Sequence, residues 1–509
     1  MKKLTHQVNQ AHPPGIPKSE KEQTETVTSS PPENSCHYTD KLQNELKKLN
    51  IDDCFTDQFG TCYISLNVSE PTPHREIHQL KSQRTIDHLT LKTVFQSDRK
   101  NERVEFNKLI RCIEAYARTK EPQTIWNRFA FHEAAVWIDL VDTQWRAIRI
   151  TNQEWKVVTT PPVLFRRHAH QQALPIPQRE GNFKNLLYHL SPMSEKMSMM
   201  CLIWTVLACF PQFPRPMLVP IGPHGAAKST FCRRLRSLLD PSHVPLLGED
   251  DRRDLMLIFR GHAIPTFDNL CTLSRKEADL FCRAVTGAGI SRRKLFTDTD
   301  DVIFQFRKAI MLNGITLPSN RPDFLERCVV LELGKLKKYE PEEKLDATFK
   351  RALPRMFGGL LDVMVSTMER VKTVSTSGIN RMADFARYGR ATALALGKTE
   401  EDFDRAYREV MDSQNRGIIE NNYLALTILE MMNDQKEPIE TNMKDLYEKL
   451  TTTAKNNNLK SENWPKDSTA MSKRLTELAP TLKMQGITIT KLPRKDKIRS
   501  RWRFNNFSH

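Results

Sequence analysis

A chain of 509 residues is longer than one hydrophobic core usually serves, so about three domains are expected. Hydrophobic residues at 39% and charged residues at 27% are ordinary for a soluble globular protein, and the net charge of +16 favours an anionic partner, nucleic acid or an acidic membrane surface. Ten cysteines without one C-x-x-C pair indicate neither a structural zinc nor a redox motif, and they fit a reduced, cytoplasmic setting.

No secretory signal is expected, because Lys2 and Lys3 lead into polar residues. The most apolar stretch, 199–210, is too short to span a bilayer and reads as a buried helix, so no membrane partner is expected. Residues 1–42 hold five prolines and no aromatic before Tyr38, which reads as a disordered tail. A mixed α+β domain is expected over 43–182. Within it Val136, Ile138 and Leu140 alternate with Trp137 and Asp139, as a half-buried strand requires. Trp126, Trp137, Trp145 and Trp155 suit either base stacking or a β-rich core. Asp52, Asp53, Asp139 and Asp142 do not make the paired metal-binding carboxylates of a primase, so no polymerising activity is expected.

Residues 183–372 alternate helix and strand, an α/β layout. The apolar run 217–221 leads into Gly222, Pro223, His224, Gly225, Ala226, Ala227, Lys228, Ser229 and Thr230, and then into a helix. Backbone N–H groups of such a turn and the positive end of the helix suit a phosphate. Lys228 would reach the β- and γ-phosphates of ATP, and the Ser229 hydroxyl would hold Mg²⁺. Ala227 stands where Gly usually precedes the Lys, and its Cβ predicts a loop that avoids the left-handed conformation there.

Three further apolar runs follow in order. Residues 262–268 end in Asp268, 308–314 contain Asn313, and Arg327 stands just before 328–333. With Lys228 these residues resemble the compact core of the superfamily-3 helicases, an AAA-like P-loop ATPase. FDNL at 267–270, LNGI at 312–315 and RPDFLER at 321–327 look more narrowly like the ATPase module of phage, plasmid and genomic-island primase-helicases. The resemblance implies an ATP-driven DNA helicase or translocase. In it Lys228 and Ser229 bind phosphate and metal, Asp268 completes the Mg²⁺ site, and Asn313 orients water. Arg327 reaches a neighbouring subunit's nucleotide, which implies a homo-oligomer, a hexameric ring. Asn269 departs from the pattern in which a second carboxylate follows the first, leaving Asp268, Glu249 or Asp250 as the base. It also leaves open a nucleotide-binding initiator that hydrolyses little.

Residues 290–296 and 302–306 flank an acidic turn and predict a hairpin. Its Arg292, Arg293 and Lys294 are either DNA contacts in the ring's pore, as the resemblance implies, or a solvated strand. Residues 373–378 (TVSTSG) suggest a linker within a linker-and-helix segment, 373–440. The last segment, 441–509, carries fifteen Lys and Arg against six Asp and Glu. Two helix-like runs, the second ended or kinked by Pro480, precede two β-like runs, the order of a winged helix. Lys473 and Arg474 on its second helix, and Arg494, Lys495 and Lys497 in the wing, are the candidate DNA contacts.

Overall fold

The structure is a computed structural model that describes residues 33–69, 73–93, 102–293, 301–304, 307–336, 340–377, 382–420, 422–433, 435, 437–456, 464–492 and 501–506. Lys294, Arg494, Lys495 and Lys497 lie outside them, as does the tail reading for residues 1–32. The chain is already helical from Glu33, so the tail does not extend to residue 42.

Helix α1 (Glu33–Lys48) leads into an antiparallel meander of β1 (Ile51–Thr56), β2 (Cys62–Val68) and β3 (His74–Gln79). Helices α2 (Gln83–Thr93) and α3 (Glu102–Arg118) follow. Leu46, Ile51, Cys54, Ile64, Leu89 and Ile113 close this small core. Strand β4 (Ile125–Trp126) pairs in parallel with β9 (Leu164–Phe165). Between them β5 (Phe129–His132), β6 (Ala135–Asp139), β7 (Ala147–Ile150) and β8 (Trp155–Val158) form a second meander.

β6 is not half-buried as its alternation predicts: all five of its residues are buried. Val136 and Ile138 join the main core on one face. On the other, Trp137 packs with Phe165, and Asp139 takes Arg167 at 2.6 Å. Trp137, Trp145 and Trp155 are thus core residues, each at most 8% exposed, and only Trp126 of the four is half-exposed. This second meander shares its core with the α/β unit, so 43–182 is not one domain.

The α/β unit opens with α4 (Glu195–Leu207), capped by the Ser194 side chain accepting from Met197 N–H. β10 (Met217–Ile221), α5 (Lys228–Leu239), α6 (Leu255–Gly261), β11 (Thr266–Phe267) and α7 (Arg275–Thr286) follow. A hairpin of β12 (Ile290–Arg293) and β13 (Asp301–Phe304) comes next, pairing Arg292 with Val302 and Arg293 with Asp301. The unit continues through β14 (Met311–Leu312), α8 (Pro322–Leu325), β15 (Cys328–Glu332) and α9 (Glu342–Arg370). Its sheet is parallel in the order β11-β14-β10-β15. Residues alternate across it: Leu218 and Val329 face α4, α5 and α9, whereas Met217, Val219 and Val330 face α6 and α7.

Helices α10 (Ala383–Ala395) and α11 (Glu400–Glu420) pack against α4 and α9. Of the expected linker 373–378, Gly378 lies outside the described residues and 373–377 are no free linker, because Arg390 donates to the Ser375 and Ser377 carbonyls and pairs with Asp404 at 2.8 Å. The last unit therefore starts earlier than residue 441, at α12 (Tyr423–Asn433), whose Leu424 and Ile428 lie in its core. It continues with β16 (Ile439–Asn442), α13 (Met443–Asn456), α14 (Ser468–Met484), β17 (Ile487–Leu492) and β18 (Arg501–Asn506), its sheet ordered β16-β18-β17. α14 runs on through Pro480, held by buried Leu478 and Leu482 on either side. No helix of the described residues is long and apolar enough to cross a membrane.

Candidate nucleotide site

In an open parallel sheet, ligands bind in the crevice beyond the carboxyl ends of the strands. β10 ends there at Ile221, and the loop 222–227 turns into α5. A Cβ at Gly222 would stand 2.6 Å from the Leu333 carbonyl oxygen, so glycine alone fits against the neighbouring strand's exit. Gly225 turns the chain at φ 79°. The Ser191 hydroxyl donates to the Ala226 carbonyl at 2.8 Å and pins the loop from behind.

Ala227 does not avoid the left-handed region. It sits at φ 55°, ψ 35°, because the loop must reverse within one residue of the helix. It also caps α5 without a side-chain acceptor, whereas Ser194, Ser274 and Asp467 cap α4, α7 and α14. The first N–H groups of α5 thus have no side-chain acceptor, as is also the case at α8, α9 and α10. Lys228 Nζ folds back onto the carbonyls of Gly222 at 2.8 Å and Pro223 at 2.9 Å, within the same loop. Ser229 lies half-buried in the first turn of α5, beside Thr230, which accepts from Arg233.

Asp268 and Asn313 leave β11 and β14 at this same end of the sheet. Asn313 is 2% exposed and spends its whole amide. Its Nδ2 donates to Asp268 Oδ1 at 2.6 Å, and its Oδ1 accepts the Asn269 N–H at 2.9 Å. The same Nδ2 lies 3.6 Å from Cys232 Sγ on α5, a thiol that burial pushes up to about 12. One buried amide thus ties Asp268, at the end of β11, to α5.

Leu247 bridges Phe267 in parallel, so Glu249 emerges beside Asp268, paired with Arg252 at 3.3 Å. Asp250 opens the short 3-10 turn that follows. Arg327 lies elsewhere. Register pairs Met217 with Cys328 and Ile221 with Glu332, which puts Arg327 at the amino end of the sheet, opposite its own chain's loop. It bonds the Asp323 carbonyl, while Glu332 accepts from Ser413 at 2.6 Å.

Lys473 and Arg474 are exposed on α14. They stand on the outer face of a helix whose Met471, Leu475, Leu478 and Leu482 pack in the C-terminal core. Sequence reasoning passed over the cations of the sheet's amino end. Lys308 was legible only as the charged start of an apolar run, and Arg215 and Arg307 carried no signal.

The fold defines a mixed α/β protein with several sheets, and the comparisons place it among replication proteins of mobile elements. Residues 185–416 match the family model of the Actinomycete integrative conjugative element replication protein, and residues 424–508 match the AICE RepA C-terminal domain. Together the matches take in more than half of the chain, which belongs to this family of replication proteins. Their limits agree with the packing, which joins α10 and α11 to the α/β unit and α12 to the C-terminal one. Two solved structures of the NrS-1 C terminal region in its A form resemble the chain loosely. They are 12% and 11% identical, with TM-score 0.39 each, and cover 90% and 91% of this chain and 98% of their own. No curated protein matches.

Proposed function

We propose that this replication protein is an ATP-dependent DNA helicase or translocase of superfamily-3 type. The observation that supports it most is the Asn313 amide, which joins Asp268 to α5 beside an uncapped helix end and a glycine-bearing loop. The residues present fit Mg²⁺ and ATP: the α5 N–H groups and Lys228 take the phosphates, and Ser229 and Asp268 hold the metal. The bound metal would neutralise charge on the transferred phosphoryl group. Asn313 fixes the Asp268 carboxylate, and Glu249, at the same end of the sheet, takes the proton of the attacking water. Arg327 faces away from its own loop, so any nucleotide it serves belongs to a neighbouring subunit of a ring. The hairpin residues Arg292 and Arg293, and Lys473 and Arg474 on a winged-helix C-terminal module, supply phosphate contacts to DNA.

A second reading is an initiator that binds nucleotide but hydrolyses little. It is favoured by Asn269, whose backbone rather than a carboxylate meets Asn313. ATP turnover measured with and without single-stranded DNA, for the parent chain and Lys228→Ala, separates the two. The motor requires DNA-stimulated turnover that Lys228→Ala abolishes. Tight ATP binding without turnover would replace it by the initiator, and turnover unchanged by Lys228→Ala would remove both.

A further inference from the structure

At the end of the sheet opposite the phosphate loop, the amino ends of β10, β11 and β14 open on a cavity of about 1070 Å³. The other wall is the β1–β2 turn of the N-terminal unit, with Phe59 half-exposed upon it, and Trp126 lies between the two. Seven Lys and Arg side chains line the cavity against two carboxylates. Both carboxylates are already engaged. Asp57 accepts the backbone N–H groups of Phe59 and Thr61, and Glu114 pairs with Lys81 at 2.9 Å and Arg118 at 3.0 Å.

The deep wall carries polar groups that the protein leaves unmatched. Lys308 is 9% exposed, and its ammonium makes no hydrogen bond or ion pair among the described residues. Burial pushes it down to about 8. Gln212 has both side-chain polar atoms buried and unbonded, and so are the Nε atoms of Arg215 and Arg307. A buried, unmatched cation is costly and rare unless something outside the chain meets it. Asp240 acts on Lys308 through space but is already paired with Arg128 at 3.0 Å, so an anion entering by the cavity would give the ammonium its missing hydrogen-bond partner.

We propose that this cavity is a channel for single-stranded DNA, with phosphates on Lys308 and Arg307 and bases on Trp126 and Phe59. Exposed aromatic faces beside a basic wall are the usual platform for an unpaired strand. The channel is separate from the nucleotide loop and does not depend on what the loop binds.

The test uses the full-length chain without nucleotide and fluorescein-labelled oligo(dT), titrated at several salt concentrations. Lys308→Met and Arg307→Gln should each weaken binding about ten-fold, and the double variant should flatten the log–log salt slope by about 0.7 per lost contact. Lys308→Met should melt no lower than the parent chain, because relief of the buried charge outweighs the through-space action of Asp240 and no hydrogen-bonded partner among the described residues is lost; a purely structural lysine would lower it. Oligonucleotide carrying 5-bromodeoxyuridine should crosslink to residues 57–63 and 126. Unchanged affinity and slope in folded variants would overturn the channel, as would crosslinks confined to other segments. Inorganic phosphate that displaces the oligonucleotide at matched charge concentration would overturn it too, leaving a small-anion site.

Discussion

Replacing Ala227 by glycine should stabilise the α/β unit, although it removes a methyl group from a helix start. Ala227 holds φ 55°, ψ 35°. For an L-residue with a Cβ that conformation costs about 1–2 kcal/mol, and glycine is free of the cost. Glycine gives back about 0.4–1 kcal/mol through the extra freedom of the unfolded chain. The balance is a gain of about 0.5–1 kcal/mol, or a rise of roughly 1–4 °C in Tm for a unit of this size. Ala226 is the control. It is fully buried in the main core and does not take a positive φ, so Ala226→Gly loses packing as well as chain stiffness. That variant should lose about 1 kcal/mol. Urea titration followed by tryptophan fluorescence reads both variants, with the midpoint rising for one and falling for the other. If Ala227→Gly falls as far as Ala226→Gly, the left-handed strain assigned to the loop is wrong.

Arg327→Ala should bind ATP nearly as the parent does yet hydrolyse it on the order of 10³-fold more slowly. Mixing it with Lys228→Ala should restore part of the turnover, and mixed rings that stay inactive would rule out a site shared between subunits. The stability of the chain should also fall in acid. Burial, then Arg166, pushes His168 down to about 2, and burial, then Arg236, pushes His262 down to about 3. The folded state refuses protons that the unfolded chain accepts below about 6.5, so stability is full above that pH and declines beneath it. Each histidine contributes about 1.4 kcal/mol per pH unit, so the step from pH 7.5 to 5.5 should cost up to about 3 kcal/mol. A urea midpoint that stays flat over this range would show that the two imidazoles take protons while folded.

The glycine-bearing turn into α5 and the two strand ends were legible because their signal is local. Apolar runs that stop at Gly222, Asp268 and Asn313 mark strands feeding polar turns, wherever those strands lie in space. The same holds for the C-terminal helices and β runs, whose period and turn residues are written in short windows. What the sequence left undecided depends on partners far along the chain. Ala227 takes the conformation its Cβ disfavours because Gly222 packs on Leu333 and Ser191 holds Ala226 from behind. Asn313 meets Asp268 and Cys232 only because β14 pairs between β10 and β11. Pairing of Met217 with Cys328, and nothing in the spacing of 14 residues after Asn313, puts Arg327 at the sheet's far end. Likewise 373–377 looked like part of a linker by composition and are held by Arg390. Composition and period report what a residue prefers alone; the alignment of distant strands decides what it touches, and at Ala227 and Lys308 that alignment outweighed the preference.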